Sequence, residues 1–193
     1  MAQLSTLTDR IRMKYLTIIL GWLLNSGLFY LGWILTFKWV LEGNYWAGPI
    51  LNIAIMGLHL ARVPNRLFET VFILTLPWMG SLIDSLWIVS GVMFYEGENA
   101  SLYWIAPFWV ITLWGLLATA INHSLAWAGK NIWVAIGTGA LGGTLSYWAA
   151  IKVGVVTLLV PHWEGIVCLA IAWGIAMPLC YLYSKFLKSL MQN

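Results

Sequence analysis

Uncharged apolar stretches long enough to cross a bilayer recur along this chain, the first unbroken from Tyr15 to Phe37. A hydrocarbon core about 30 Å thick takes about 20 helical residues to cross. In lipid, every backbone amide must be satisfied within its own segment or in a closed barrel, so runs of this length fold as helices. With 61% hydrophobic and 9% charged residues among 193 and a mean hydropathy of +0.83, most of the chain belongs in lipid. A barrel would need shorter, alternating segments. The expected fold is all-α: a single integral membrane domain over 1–193 with six transmembrane helices at about 15–37, 46–61, 68–94, 103–128, 131–150 and 163–186. Residues 151–161 either extend the fifth helix or lie at the interface. The first span is too long for a signal-peptide core and no small-residue cleavage site follows it, so it is expected to be retained.

The net charge of +3 is informative by position. Six crossings put Arg10, Arg12, Lys14, Arg62, Arg66, Lys130, Lys185 and Lys188 on one side and only Lys38 and Lys152 on the other. The positive-inside rule then places both termini in the cytoplasm. Glu42, Glu96, Glu98 and Glu164 fall outside, in or beside external turns, with Trp39, Tyr45 and Trp46 as interfacial aromatics. The basic set suits orientation and lipid headgroups, and no nucleic-acid partner is expected.

Against this background the intramembrane polar residues carry the functional question, because groups that cost free energy in hydrocarbon mark either a site or an internal packing network. Asn25, Asn52, Asp84, Asn122, His123, Ser146 and Tyr147 are the ligand or polar-core candidates. Asp84 is the foremost, since an unpaired carboxylate in hydrocarbon is costly. Helical rise puts Asn25 and Asn52 roughly 13 to 16 Å, His123 about 8 Å and Asp84 about 24 Å from the inner helix ends. The expected arrangement has two levels: an inner network of Asn25, Asn52, Asn122 and His123, and an outer group of Asp84, Ser146 and Tyr147. This separation disfavours an Asp-His dyad, which requires hydrogen-bond reach, and no Ser-His-Asp triad follows. His59 reads first as an interfacial histidine, with a headgroup or carboxylate contact as the alternative. Ala135, Gly139 and Gly143 recur every four residues and form a helix-packing groove.

No haem, flavin, metal or other cofactor is expected. Cys168 and Cys180 lie about 18 Å apart along one helix, outside disulfide reach, and show no clustered ligand spacing. Glu96 and Glu98 are a fragment of a calcium cage at most. GTGALGG lies within an apolar helix and lacks the strand-and-helix context of a nucleotide loop.

The segments GSLIDSLWIVSG at 80–91, WVITLWGLLATAINHSLAW at 109–127 and GALGGTLSYWAAIKVG at 139–154 resemble the domain-of-unknown-function 2878 family of uncharacterised proteobacterial inner-membrane proteins. The resemblance covers most of the chain. It implies a multi-pass protein of the bacterial inner membrane, with Asp84, Asn122, His123, Ser146 and Tyr147 at the family's polar positions. Gly143 and Thr144 stand where the family pattern often has Gly-Pro. No activity follows from it, and a link to membrane-lipid metabolism is a family-level expectation. Three functions remain in play. The first is a protein that binds or moves a small polar or lipid-derived ligand, using Asp84 and His123 at different depths. The second is a structural or assembly subunit, and the third an intramembrane lipid-modifying enzyme. Membrane lipids are the expected partners, with a membrane protein or a second copy as further candidates.

Overall fold

The computed structural model describes residues 2–97 and 104–192, with side chains from Arg12 onward. Glu98, Ser101, Tyr103 and the side chain of Arg10 therefore lie outside the described residues. Helix α1 runs Ala2–Leu41, α2 Ala47–Arg62, α3 Arg66–Val89 and α4 Phe108–Ile121. Helices α5 (Ile132–Thr138) and α6 (Thr144–Val153) are joined by a π-helical turn at Gly139–Gly143, and α7 runs His162–Gln192. A two-stranded antiparallel sheet pairs β1 (Met93–Tyr95) with β2 (Val156–Leu158), Tyr95 opposite Val156.

Four helices are long and apolar enough to cross a membrane: Arg12–Leu41, Arg66–Val89, Ile132–Val153 and His162–Gln192. This corrects the expected six crossings, and the cytoplasmic placement of both termini rested on that count. The expected spans 46–61 and 103–128 contain helices of 16 and 14 residues, about 24 and 21 Å long against a core of about 30 Å. Local chemistry fixes their ends. The Asn44 side chain accepts from the backbone N–H of Ala47 at 3.1 Å to start α2, and Pro64 forces Val63 into the extended conformation that ends it. Pro107, with φ −56° and ψ 151°, starts α4. After Ile121 the chain turns through 122–127, its Leu125 N–H returning to the Ala120 carbonyl.

The fold is helical as expected, with one short β1–β2 pair added to it. The fifth apolar run extends past 150 to Val153, where Gly154 caps it at φ +92°, a left-handed conformation suited to glycine. Residues 156–158 then form β2, so the segment 151–161 is part helix and part strand.

Helix α4 lies at the centre, packed on α1, α2 and α3, while α5, the π-turn and α6 pack on α7. Small residues bring α4 close to its neighbours. A Cβ on Gly32 of α1 would lie 2.6 Å from Leu116, one on Gly115 would meet Met56 Sδ at 2.6 Å, and one on Gly80 of α3 would enter the Trp114 indole. By contrast, the outer surface of α1 exposes Leu16, Ile19, Leu23 and Ile34, a surface for lipid. Helix lengths and apolar surfaces establish a membrane protein.

Candidate functional site

Asp84 has no exposed surface. The turn after α3 reverses at Gly91 (φ +68°), which sends β1 back along the helix. This brings the Tyr95 hydroxyl to donate to Asp84 Oδ1 at 2.7 Å. Tyr147 on α6 donates to the same oxygen, and Trp114 on α4 donates its indole N–H to Oδ2 at 2.6 Å. One carboxyl group thus ties together α3, β1, α4 and α6. Burial, with the Asp84 charge second, holds the Tyr95 phenol well above the usual tyrosine range, so it remains a donor. Behind this cluster Trp114 stacks on Trp173 of α7, centroids 4.8 Å apart and planes within 4°.

A cleft of about 750 Å³ opens beside the cluster, between α1 and the α5–α7 layer, with α4 as its floor. Its α1 wall runs from Trp22 to Phe37, about 22 Å of helix. The lining is aromatic and aliphatic, with hydroxyls, those of Ser26, Ser124, Tyr95, Ser146 and Tyr147 among them, at its polar points. No charged side chain is among the described residues that line it. Tyr30 and Leu145, on facing walls, are 59% and 62% exposed, so the cleft is open along its side.

A second cluster lies where α2 ends, α3 begins and α4 has just ended. His59 Nε2 is 3.4 Å from Glu69 Oε2, and His123 Nε2 is 3.0 Å from Glu69 Oε1. The two imidazoles meet edge to face at 4.6 Å. His59 and Glu69 are buried, whereas the His123 side chain is 31% exposed. Together with the aromatic core this gives the protein a buried polar interior.

The sequence-predicted residues divide among several places. Asn25 donates to the Thr119 carbonyl at 3.1 Å and accepts from the Ser124 N–H at 3.3 Å, closing α1 over the end of α4. Asn52 donates to Thr36 and Thr112, each at 3.1 Å, within the α1–α2–α4 contact. Asn122 accepts from Ser184 at 2.7 Å and Lys188 at 3.0 Å, fastening the turn after α4 to α7. These three residues and His123 lie in separate bonding groups. In the other expected group, Tyr147 reaches Asp84 and Ser146 lines the cleft, whereas Asp84 and His123 are absent from its lining. Gly139 and Gly143 lie against the Trp173 carbonyl and indole, beside the buried Ala135.

Sequence reading passed over Tyr95, Trp114 and Glu69. Glu69 had one available signal, an acid in the first turn of an apolar helix, but that position is also where a helix N-terminus favours a negative charge. Tyr95 and Trp114 are two aromatics among many in this chain, and only the backbone reversal and the α3–α4 contact single them out.

None of the curated proteins or solved structures compared matches this chain. The family model described as Protein of unknown function (DUF2878) matches residues 22–179, and the chain therefore belongs to that family.

Proposed function

We propose that the protein binds a lipid-derived ligand, a neutral amphiphile with one long apolar chain and a hydroxyl head, in the cleft between α1 and α5–α7. The cleft itself carries this reading. It has about 750 Å³ of aromatic-walled space, and its α1 wall extends for about 22 Å, more than half of the hydrocarbon core. It is open along its side, where a molecule enters from the bilayer without crossing water. Arginine and lysine recognise phosphate and carboxylate, and neither residue is among its lining residues, which favours a neutral head. Asp84 acts from behind the wall. By accepting hydrogen bonds from Tyr95 and Tyr147 it orients both hydroxyls and leaves their oxygens as acceptors for a donor on the ligand.

Gly142 provides the test, because it lines the cleft and a Cβ there meets nothing within 4 Å. Native mass spectrometry and solvent extraction of purified wild-type protein should recover a neutral lipid in about one-to-one ratio. Gly142→Phe should obstruct the cleft and lose it, while Gly57→Phe, at an exposed site outside the cleft, should retain it. Tyr147→Phe should weaken binding of a hydroxyl-bearing lipid by about tenfold, the value of one hydrogen bond of about 1.4 kcal/mol. Equal lipid content in wild type and Gly142→Phe would reject the proposal.

A further inference from the structure

We infer that His59, Glu69 and His123 form a binding site for a divalent transition-metal ion, with Zn²⁺ its simplest occupant. The three residues come from the end of α2, the start of α3 and the turn after α4, and one donor atom from each lies within 4.8 Å of the other two. Four ligands at about 2.0 Å around a tetrahedral ion are separated by about 3.3 Å. The donors already lie within 4.8 Å of one another and close toward that spacing around an ion; His123 and His59 face different oxygens of Glu69, at 3.0 and 3.4 Å. The longer is poor for a charge-assisted hydrogen bond, which closes to about 2.7 to 2.9 Å.

Donor chemistry selects the ion. Two imidazoles and one carboxylate suit zinc and its neighbours in the first transition row, whereas calcium and magnesium demand oxygen shells. With neutral imidazoles the cluster carries one negative charge on Glu69, which is 5% exposed, and a buried carboxylate calls for a compensating charge. Access is one-sided: His59 and Glu69 are enclosed, and the partly exposed His123 marks the entry. Three protein ligands leave a fourth position for water or another small ligand, as in reactive zinc sites and unlike structural ones.

The competing arrangement is a hydrogen-bonded His-Glu-His trio, and metal binding distinguishes the two. Untagged protein in lipid nanodiscs, stripped with chelator, should take up one Zn²⁺ per chain in competition with a chromogenic chelator. X-ray absorption should show two imidazole nitrogens and at least one oxygen at about 2.0 to 2.2 Å. His123→Ala should weaken uptake by more than the roughly 10- to 100-fold that loss of a mere outer-shell partner costs, and His162→Ala should leave it unchanged. Zn²⁺ should raise the unfolding temperature of the wild type and not of His123→Ala. Glu69→Gln preserves the side chain's shape and can still bond both imidazoles, accepting from one and donating its amide N–H to the bare nitrogen of the other, but it lacks the charge, so a folded Glu69→Gln protein should also lose uptake. Absence of saturable uptake by the wild type, or equal affinity in wild type and His123→Ala, would overturn the assignment.

Discussion

Asp84 accepts from three donors that arrive on three other elements, and the Tyr95 hydroxyl also has Met93 Sδ at 3.2 Å and the Tyr147 oxygen at 3.5 Å within reach. Leaving a buried donor unpaired costs about 1 to 3 kcal/mol. Asp84→Asn keeps one acceptor oxygen for the tyrosines but turns an amide N–H₂ toward the Trp114 indole N–H. It should destabilise the folded protein by about 1 to 3 kcal/mol in denaturant unfolding in detergent. Adding Trp114→Phe removes the opposing donor, so the double variant should be less destabilised than the sum of the singles; strict additivity would show that Trp114 and Asp84 do not interact. The costly aspartate was legible in the sequence because carboxylates are rare in hydrocarbon. Its partners were not, since Tyr95 reaches it only through the Gly91 reversal and Tyr147 only through the packing of α6.

The five-residue π-turn at Gly139–Gly143 is the element that shapes the cleft wall. A Cβ at Gly139 would collide with the Trp173 carbonyl and Met177, whereas one at Gly137, two residues earlier, meets nothing within 4 Å. Gly139→Ala should therefore cost about 1 to 3 kcal/mol by overpacking. Gly137→Ala should be neutral or stabilising by up to about 1 kcal/mol, since alanine favours helix. Thermal unfolding of the two variants in nanodiscs checks the order. The four-residue spacing of Ala135, Gly139 and Gly143 made this packing face readable. The π-turn inside it was not, because an apolar stretch rich in glycine satisfies α and π geometry alike. Strands β1 and β2 were hidden for a different reason: each is three residues long, and β1 has its partner on a distant segment.

Across the whole molecule the ends differ in charge. Lys188 reaches Asn122 at 3.0 Å beside the turn after α4, and Arg62, Arg66 and Lys130 flank the same junctions. The Lys38–Glu42 pair, at 2.9 Å, closes the far end of α1. Gly43→Cys and Lys130→Cys should accordingly react with a membrane-impermeant thiol reagent from opposite faces of sealed vesicles, in a background with Cys168 replaced. Labelling of both from one face would contradict the bundle's polarity. Membrane class and the asymmetry of basic residues followed from the sequence. The number of crossings did not: the run 46–61 is helical almost throughout but only 16 residues of helix long, and apolarity over 103–128 does not reveal that its α-helix is confined to Phe108–Ile121. In α4 that apolarity serves other helices: eleven of its fourteen residues are buried.

That burial has a consequence for biosynthesis. A segment of about 21 Å cannot hold itself across a core of about 30 Å, and α4 exposes too little surface to be retained by lipid alone. Its place in the membrane must be secured by helices already made, with Gly32 of α1, Met56 of α2 and Gly80 of α3 forming the seat it enters. The nascent chain therefore integrates α4 as a folding step. Filling that seat, as Gly32→Leu or Gly80→Leu would, should therefore lower the yield of inserted chain before it lowers the stability of any mature protein.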